Sequence, residues 1–147
     1  MERYGRRVVV DLPFETAVDE TIHALRAEGV DLAGRMDVRR FLVHTLHHDF
    51  RRYVLLEVVS PEVTLEALRQ DLDVGAVLPT TCAIFELADG ETAVVVAEPF
   101  GGLGSEVEWR RTAPALAALA DRACEQIARA LNGLQQAARR RTHPDAA

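Results

Sequence analysis

The sequence is short of cysteine, has no lysine and contains no long apolar segment. Cys82 and Cys124 are its only cysteines, and neither belongs to a CxxC pair or to a Cys/His set with zinc-finger spacing. We therefore expect two reduced thiols rather than a disulfide or a zinc finger. The glycine-rich segment 101–104 lacks the lysine and the spacing of a phosphate-binding loop, which leaves a flexible connector as its expected role.

Long hydrophobic stretches and N-terminal targeting features are also missing. The longest apolar runs fall far short of the ~20 residues that span a bilayer. The first residues are charged and lead into a strand pattern, without the apolar segment and the cleavage site of a signal peptide. These absences predict a cytoplasmic protein with no membrane partner.

The charge balance disfavours a polyanionic partner. The chain carries 17 basic and 23 acidic residues, a formal net charge of −6, and every basic residue apart from the histidines is arginine. Nucleic-acid-binding proteins concentrate positive charge to neutralise phosphates. We therefore expect no nucleic acid among the partners of this protein.

Length and periodicity predict one α+β domain. The chain has 147 residues, 48% of them hydrophobic, which is enough for a single core over residues 1–133. The apolar pattern alternates between strands and helices in the order β-α-β-α-β-α-β-β-α. That order predicts a largely antiparallel sheet of about five strands with helices packed on one face. The basic segment 134–147 is predicted to be a frayed or disordered tail.

Two segments define the predicted sheet. Apolar runs on both sides of Asp89-Gly90 are the strongest local signal of a β-hairpin, which we place between Val77 and Glu98. Residues 53–59 are nearly all apolar, and this predicts a central strand that is covered on both faces.

Two helices carry pronounced apolar patterns. Asp37 is the predicted N-cap of the second helix, whose apolar arc is expected to be buried: Val38, Phe41, Leu42, Thr45 and Leu46. The last helix begins at Thr112, has the longest apolar stripe and is expected to end near Asn132-Gly133. Apolar stripes and exposed strand edges are normally covered or paired, and a second copy of the chain could do this for the stripe and for the exposed hairpin edge. These two surfaces therefore predict a homodimer.

Four short motifs resemble one protein family. They are Pro13–Val18 before an amphipathic helix, Asp37-Val38, Ser60-Pro61 after a central strand, and Val74–Pro79 before the hairpin. Their order and spacing resemble the family known as domain of unknown function 302, over the segment from Val8 to Leu131. The resemblance implies a compact α+β domain that is compatible with a dimer, and it implies no established reaction.

The chain departs from this family beside the hairpin. The resemblance implies a cysteine directly after Leu78-Pro79, whereas this chain has Thr80 there and Cys82 two residues later. Residues two apart on a strand share a face, so the thiol stays on nearly the same side of the sheet. A small buried thiol is the expected state of such a cysteine. The candidate ligand-binding residues are Tyr53, Pro79, Thr80 and Cys82.

A histidine cluster is the candidate metal site. His44 and His48 are four apart, so on a helix they share a face and could ligate one metal ion. Asp49 or a residue distant in sequence would have to complete the ligand set. The competing interpretation is a solvated helix face, because no glutamate follows His44 and no third ligand lies on the same face.

Two functions of different classes fit these observations. The first is a non-catalytic module that binds a small ligand or another protein, including a second copy of itself. The second is a metal- or thiol-dependent enzyme that uses His44, His48 and Cys82. We expect the first, because no acid, base and nucleophile set is assembled in the sequence. No motif in the sequence indicates a particular cofactor.

Overall fold

The computed structural model describes residues 3–145, which are built around a five-stranded sheet. The strands are β1 (Gly5–Val10), β2 (Asp31–Asp37), β3 (Tyr53–Val59), β4 (Thr80–Ala88) and β5 (Glu91–Ala97). Their order across the sheet is β1-β5-β4-β3-β2, and all neighbouring strands are antiparallel. The predicted α+β class with an antiparallel five-stranded sheet is confirmed.

Helices connect the strands and follow them. The α-helices in the described chain are α1 (Phe14–Ala27), α2 (Val38–Leu46), α3 (Pro61–Gln70), α4 (Val107–Thr112) and α5 (Pro114–Thr142). Short 3-10 segments span Leu72–Val77 and Pro99–Ser105, and the second is kinked by left-handed backbone at Phe100, Gly101 and Gly102. The predicted order of elements is confirmed, and α4 and the two 3-10 helices are additions that the apolar pattern did not indicate.

The hairpin forms at the predicted turn, but its position in the sheet differs from the expectation. Gly90 adopts a left-handed φ of 77°, the conformation for which Asp-Gly turns are selected. Strand β4 pairs with β3 as well as β5, and β5 pairs with β1 as well as β4. The hairpin therefore has no free edge, and the expectation of an exposed hairpin edge is wrong. The edge strands are β1 and β2.

Helices α1 and α5 cover one face of the sheet, which we call the covered face. The side chains of β3, β4 and β5 that point to this face are buried: Val54, Leu56, Val58, Cys82, Ile84, Val94 and Val96. The helices contribute Val18 and Leu25 from α1 and Ile127, Leu131 and Leu134 from α5. Each large apolar side chain buried in this way stabilises the fold by about 1.5–3 kcal/mol.

A second, smaller cluster packs around the first half of α5. It includes Val63 and Ala67 of α3, Phe100 of the 3-10 segment, and Leu116 and Ala120 of α5. This cluster fixes the chain on either side of the hairpin.

The last helix is longer than the sequence suggested. It runs through Asn132-Gly133 to Thr142, about 43 Å at 1.5 Å per residue. Leu134 is fully buried and Ala138 is 5% exposed, both within the main core. The prediction of a helix end at residue 133 and a frayed tail is therefore wrong for residues 134–142. Residues 146 and 147 of that tail lie outside the described part of the chain.

Two burial expectations are also wrong. The side chains of β3 alternate between buried and half-exposed or exposed, so only one of its faces is covered. None of the residues of α2 is buried, and Phe41 and Leu46 expose 51% and 68% of their surface. The cause is position, because α2 packs chiefly against the edge strand β2 and its neighbour β3. Its N-cap is as predicted: the Asp37 carboxylate accepts a hydrogen bond of 3.0 Å from the backbone N–H of Arg40.

Within residues 3–145, no helix combines the length and the apolar character that crossing a membrane requires.

We expect Leu134→Ala to lower the free energy of unfolding by about 3 kcal/mol, because it leaves a cavity beneath the second half of α5. Gln136→Ala, at an exposed position of the same helix, is the matched control and should change stability by less than about 0.5 kcal/mol. Urea unfolding followed by circular dichroism measures both. Equal midpoints for the two variants would contradict the buried position of Leu134.

Candidate functional site

The face of the sheet opposite α1 and α5 is apolar and carries no packed helix along its centre. We call it the open face. It presents Tyr53 and Leu55 from β3, Thr81, Ala83 and Phe85 from β4, and Val95 and Ala97 from β5. Most of these side chains are half-buried by their neighbours alone. A sheet face in contact with water normally has polar side chains, so the open face is the candidate interaction surface of the described chain.

A large cavity lies on the open face. Its volume is about 590 Å³, and its lining comes from the N-terminal segment and four strands: Arg3, Tyr4, Arg7, Tyr53, Leu55, Thr81, Ala83, Phe85, Val95 and Ala97. We call this cavity the hollow. Its floor is formed by the small residues Thr81, Ala83 and Ala97, whose short side chains leave space between the larger ones around them.

Aromatic rings border the hollow at one end. The Tyr53 and Phe85 rings are stacked, with centroids 5.1 Å apart and an angle of 11° between the planes. Phe50 continues this row, with its centroid 6.5 Å from that of Tyr53. At the other end the guanidinium of Arg3 lies 5.3 Å from the centre of the Tyr4 ring. The two ends are about 13 Å apart, because four residues of an extended strand separate Ala97 from Ala93 beside Phe85.

The charges on the open face are separated. Arg3 and Arg7 line the β1 side of the hollow, and Arg7 forms no ion pair with another described residue. Glu57 lies on the β3 side and leans over Gly34 of β2, where an added Cβ would be 2.8 Å from Glu57 Oε2. One margin of the face is therefore cationic and the opposite margin is anionic.

A family model matches most of the chain. The model is described as Domain of unknown function DUF302, and it matches residues 6–134. The chain belongs to the DUF302 family. The resemblance inferred from the four sequence motifs is thereby confirmed.

The fold is shared with another member of the DUF302 family. The chain is similar to the crystal structure of the uncharacterized conserved protein DUF302 from Bacillus stearothermophilus, with a TM-score of 0.74 and 22% sequence identity over 90% of this chain and 99% of that chain. At this identity the similarity establishes the fold alone. No curated protein matches the chain.

The four predicted ligand-binding residues of this DUF302 chain do not form one site. Tyr53 lines the hollow, whereas Cys82 points to the covered face and is fully buried. Thr80 lies on the same side of β4 as Cys82 and lines a different, much smaller cavity. Pro79 follows a cis peptide bond just before β4. Only Tyr53 therefore lies at the hollow.

The smaller cavity has room for one water molecule. Its volume is about 20 Å³, and Thr80 shares its lining with Ser60, Thr64 and Gln126. Gln126 Nε2 donates a 2.9 Å hydrogen bond to the Glu28 carbonyl, while Gln126 Oε1 is buried without a protein partner. This volume is far below the ~300 Å³ of the smaller ligand sites, so Thr80 lies at no candidate ligand site of this chain.

Neither cysteine is activated as a nucleophile. Burial raises the pKa of the Cys82 thiol to about 12. The pKa of Cys124 is also raised to about 12, first by burial and then by the negative charge of Glu98, whose Oε2 accepts a 3.4 Å hydrogen bond from Cys124 Sγ. Reactive cysteines have pKa values lowered by cationic neighbours. The thiol-dependent alternative therefore gains no support from either position.

The histidine cluster lacks the predicted helical geometry. Helix α2 ends at Leu46, and His47 has a left-handed φ of 52° that reverses the chain before His48. His44 and His48 are thus not one turn apart on a continuous helix. The Asp49 carboxylate is held by Arg39, with Nε 2.9 Å from Oδ1, and this hydrogen bond is the main reason that its pKa is lowered. Within residues 3–145 no three potential ligands of the Cys, His, Asp and Glu types come together.

Most residues of the hollow were missed at the level of sequence. The available signal was the apolar character of both faces in β4 and β5, where Ala83, Phe85 and Val95 alternate with buried residues. Apolar alternation of this kind predicts cover on both sides. The sequence predicts helices on one face only, and this mismatch would have indicated an apolar face without cover.

We expect iodoacetamide to label Cys124 before Cys82 in the folded protein at pH 8, because the thiolate is the reacting species and Cys82 is sealed in the core. Glu98→Gln should lower the pKa of Cys124 and accelerate its labelling by about 3–10-fold, while Cys82 stays unmodified. Peptide mass spectrometry over time measures both rates. Faster labelling of Cys82 than of Cys124 would refute the placement of the two thiols.

Proposed function

We propose that this DUF302 chain is a non-catalytic binding module that takes up a small amphipathic acid on its open face. The observation that carries the proposal is the hollow of about 590 Å³, which is floored by small residues and bordered by aromatic rings. Ligand sites in proteins have volumes of about 300–1,000 Å³ and chiefly apolar linings with a few polar groups.

The apolar lining favours a ligand whose larger part is apolar or aromatic. Leu55 and Val95 provide apolar surface beside the floor of small residues, and the stacked rings of Tyr53 and Phe85 provide a flat wall. Such a surface favours an elongated apolar or aromatic molecule up to about 13 Å long, the span between the two ends of the hollow at 3.3 Å per strand residue. Aromatic contacts add about 0.5–1.5 kcal/mol beyond the burial of area.

The two arginines of the hollow favour a ligand with a negatively charged group. Arg3 and Arg7 both border the hollow, and its described lining contains no carboxylate. Guanidinium groups bind carboxylate, sulfonate and phosphate oxygens through paired N–H donors. An acidic head group at the β1 side is therefore the polar part that the hollow accepts.

The same lining favours binding over catalysis. It supplies apolar surface and hydrogen-bond donors, and the described lining includes no imidazole, thiol or carboxylate to serve as a base or nucleophile. The predicted cytoplasmic location stays a prediction, and so does the absence of a nucleic-acid partner.

The experiment uses 8-anilino-1-naphthalenesulfonate, a fluorescent aromatic anion, as the probe. Arg7→Gln should raise its dissociation constant about 5-fold, equivalent to about 1 kcal/mol for one charge-assisted hydrogen bond at a solvent-accessible site. Ala83→Leu should raise it at least about 10-fold, because the added side chain fills the floor of the hollow.

Arg35→Gln is the matched control, because Arg35 is an exposed arginine of β2 that does not line the hollow. This variant changes the net charge as Arg7→Gln does, and it should leave the dissociation constant within about 2-fold of the wild-type value. Circular dichroism confirms that each variant is folded. Equal probe affinity in the wild type, Ala83→Leu and Arg7→Gln would overturn the proposal.

A further inference from the structure

We infer that a second copy of this chain packs on the open face, so that the proposed binding site is closed by two subunits. The inference rests on the proposed function for the identity of the site, while the interface itself is argued from the shape, area and charge of the open face.

The hollow by itself does not enclose a ligand. Ligand sites bury 70–90% or more of the ligand surface. Every described residue that lines the hollow belongs to one sheet layer or to the N-terminal segment beside it, so a bound molecule would contact protein on one side only. A second layer is needed to complete the site, and the helices α1 and α5 are already committed to the covered face.

The open face is close in area to a stable interface. Four strands spaced ~4.8 Å apart and about seven residues long give a surface on the order of 400 Å² in plan. Side chains that stand up from a sheet expose more area than the plan, and Tyr4 and Phe50 at the rim are 72% and 43% exposed. Together these approach the roughly 600 Å² per subunit that the smaller stable interfaces bury.

The charges at the two margins of the open face are complementary under two-fold symmetry. A two-fold axis parallel to the strands, between β4 and β5, places β1 of one copy opposite β3 of the other. Arg7 then faces the margin that carries Glu57 of the second copy, and the reciprocal pair forms by symmetry. A guanidinium has five N–H donors, so Arg7 pairs with this carboxylate and still has donors for an acid bound beside Arg3. Their rows are two residues, or about 7 Å, apart along the strands, a distance that an arginine side chain can span.

This arrangement also preserves the cavity. Sheets stacked face to face lie about 10 Å apart with strands within ~30° of parallel. The same axis sets β4 of each copy against β5 of the other, so the small residues Thr81 and Ala97 oppose each other. Space remains between the layers there, next to the cationic end formed by Arg3.

The surfaces first expected to carry a dimer are used within the chain. The apolar stripe of α5 packs against the sheet and α1, and the hairpin has no free edge. We therefore place the interface of the predicted homodimer on the open face.

The test is a charge exchange measured by sedimentation equilibrium. The wild type should have twice the 16.2 kDa mass of one chain at tens of micromolar. Arg7→Glu and Glu57→Arg should each raise the dimer dissociation constant at least about 10-fold, because like charges then face each other. The double variant Arg7→Glu/Glu57→Arg should recover to within about 3-fold of the wild type.

Attraction within one chain does not explain such a rescue. Arg7 and Glu57 lie on strands three positions apart in the sheet, which is about 14 Å and beyond the Debye length of ~8 Å at physiological salt. Arg35→Glu is the control for a charge reversal outside the interface and should leave the dissociation constant unchanged.

Glu57→Arg also separates the inference from the proposed function, because Glu57 does not line the hollow. At concentrations where this variant is monomeric, its affinity for anilinonaphthalenesulfonate should fall about 10-fold, although a cation has been added near an anion site. Unchanged or tighter probe binding would overturn the two-subunit site and leave the proposed function intact.

Two further outcomes would overturn the inference. The first is a wild type that is monomeric at 50 µM, and the second is a dimer whose dissociation constant is the same in the wild type, Arg7→Glu and Glu57→Arg. A charge-sensitive dimer that binds no anilinonaphthalenesulfonate would instead support the interface and refute the proposed function.

Discussion

The packing of α1 and α5 on a single face of the antiparallel sheet is the constraint on which the rest of the molecule depends. The two helices bury one side of β3, β4 and β5 with the apolar stripes of α1 and of the second half of α5. The other side of these strands is left as the open face. The open face is a direct consequence, because the central strands β3, β4 and β5 have apolar residues on both faces and the described chain covers one of these faces.

The length of α5 shows how this constraint acts on local signals. Asn132-Gly133 has the composition of a helix end, yet the helix continues because Leu134 and Ala138 gain burial against the sheet. The cost of a glycine in a helix interior is about 1 kcal/mol, and burying a leucine stabilises by more than this. The opposite holds for α2, where a good apolar pattern and a good N-cap produce a helix with no buried residue.

The candidate site depends on contacts between residues that are distant in sequence. Tyr53 is the one predicted ligand-binding residue that lines the hollow, and the residues around it come from other strands, so that their grouping depends on the register of β3, β4 and β5. Thr80 and Cys82 were placed correctly on one strand face, which proved to be the covered one. The small residues that create the hollow carry no chemical signature, so their importance depends entirely on the larger neighbours around them.

The amino-acid sequence by itself determined the α+β class, the order of strands and helices, the Asp89-Gly90 turn and membership of the DUF302 family. These features depend on periodicity, turn chemistry and local motifs, which are properties of neighbouring residues. Only the tertiary structure decided which strands are neighbours, which apolar stripes are buried, and that one face of the sheet is left uncovered with a hollow in it. Those outcomes depend on contacts between residues far apart in the chain, where several arrangements satisfy the same local pattern and packing selects one of them.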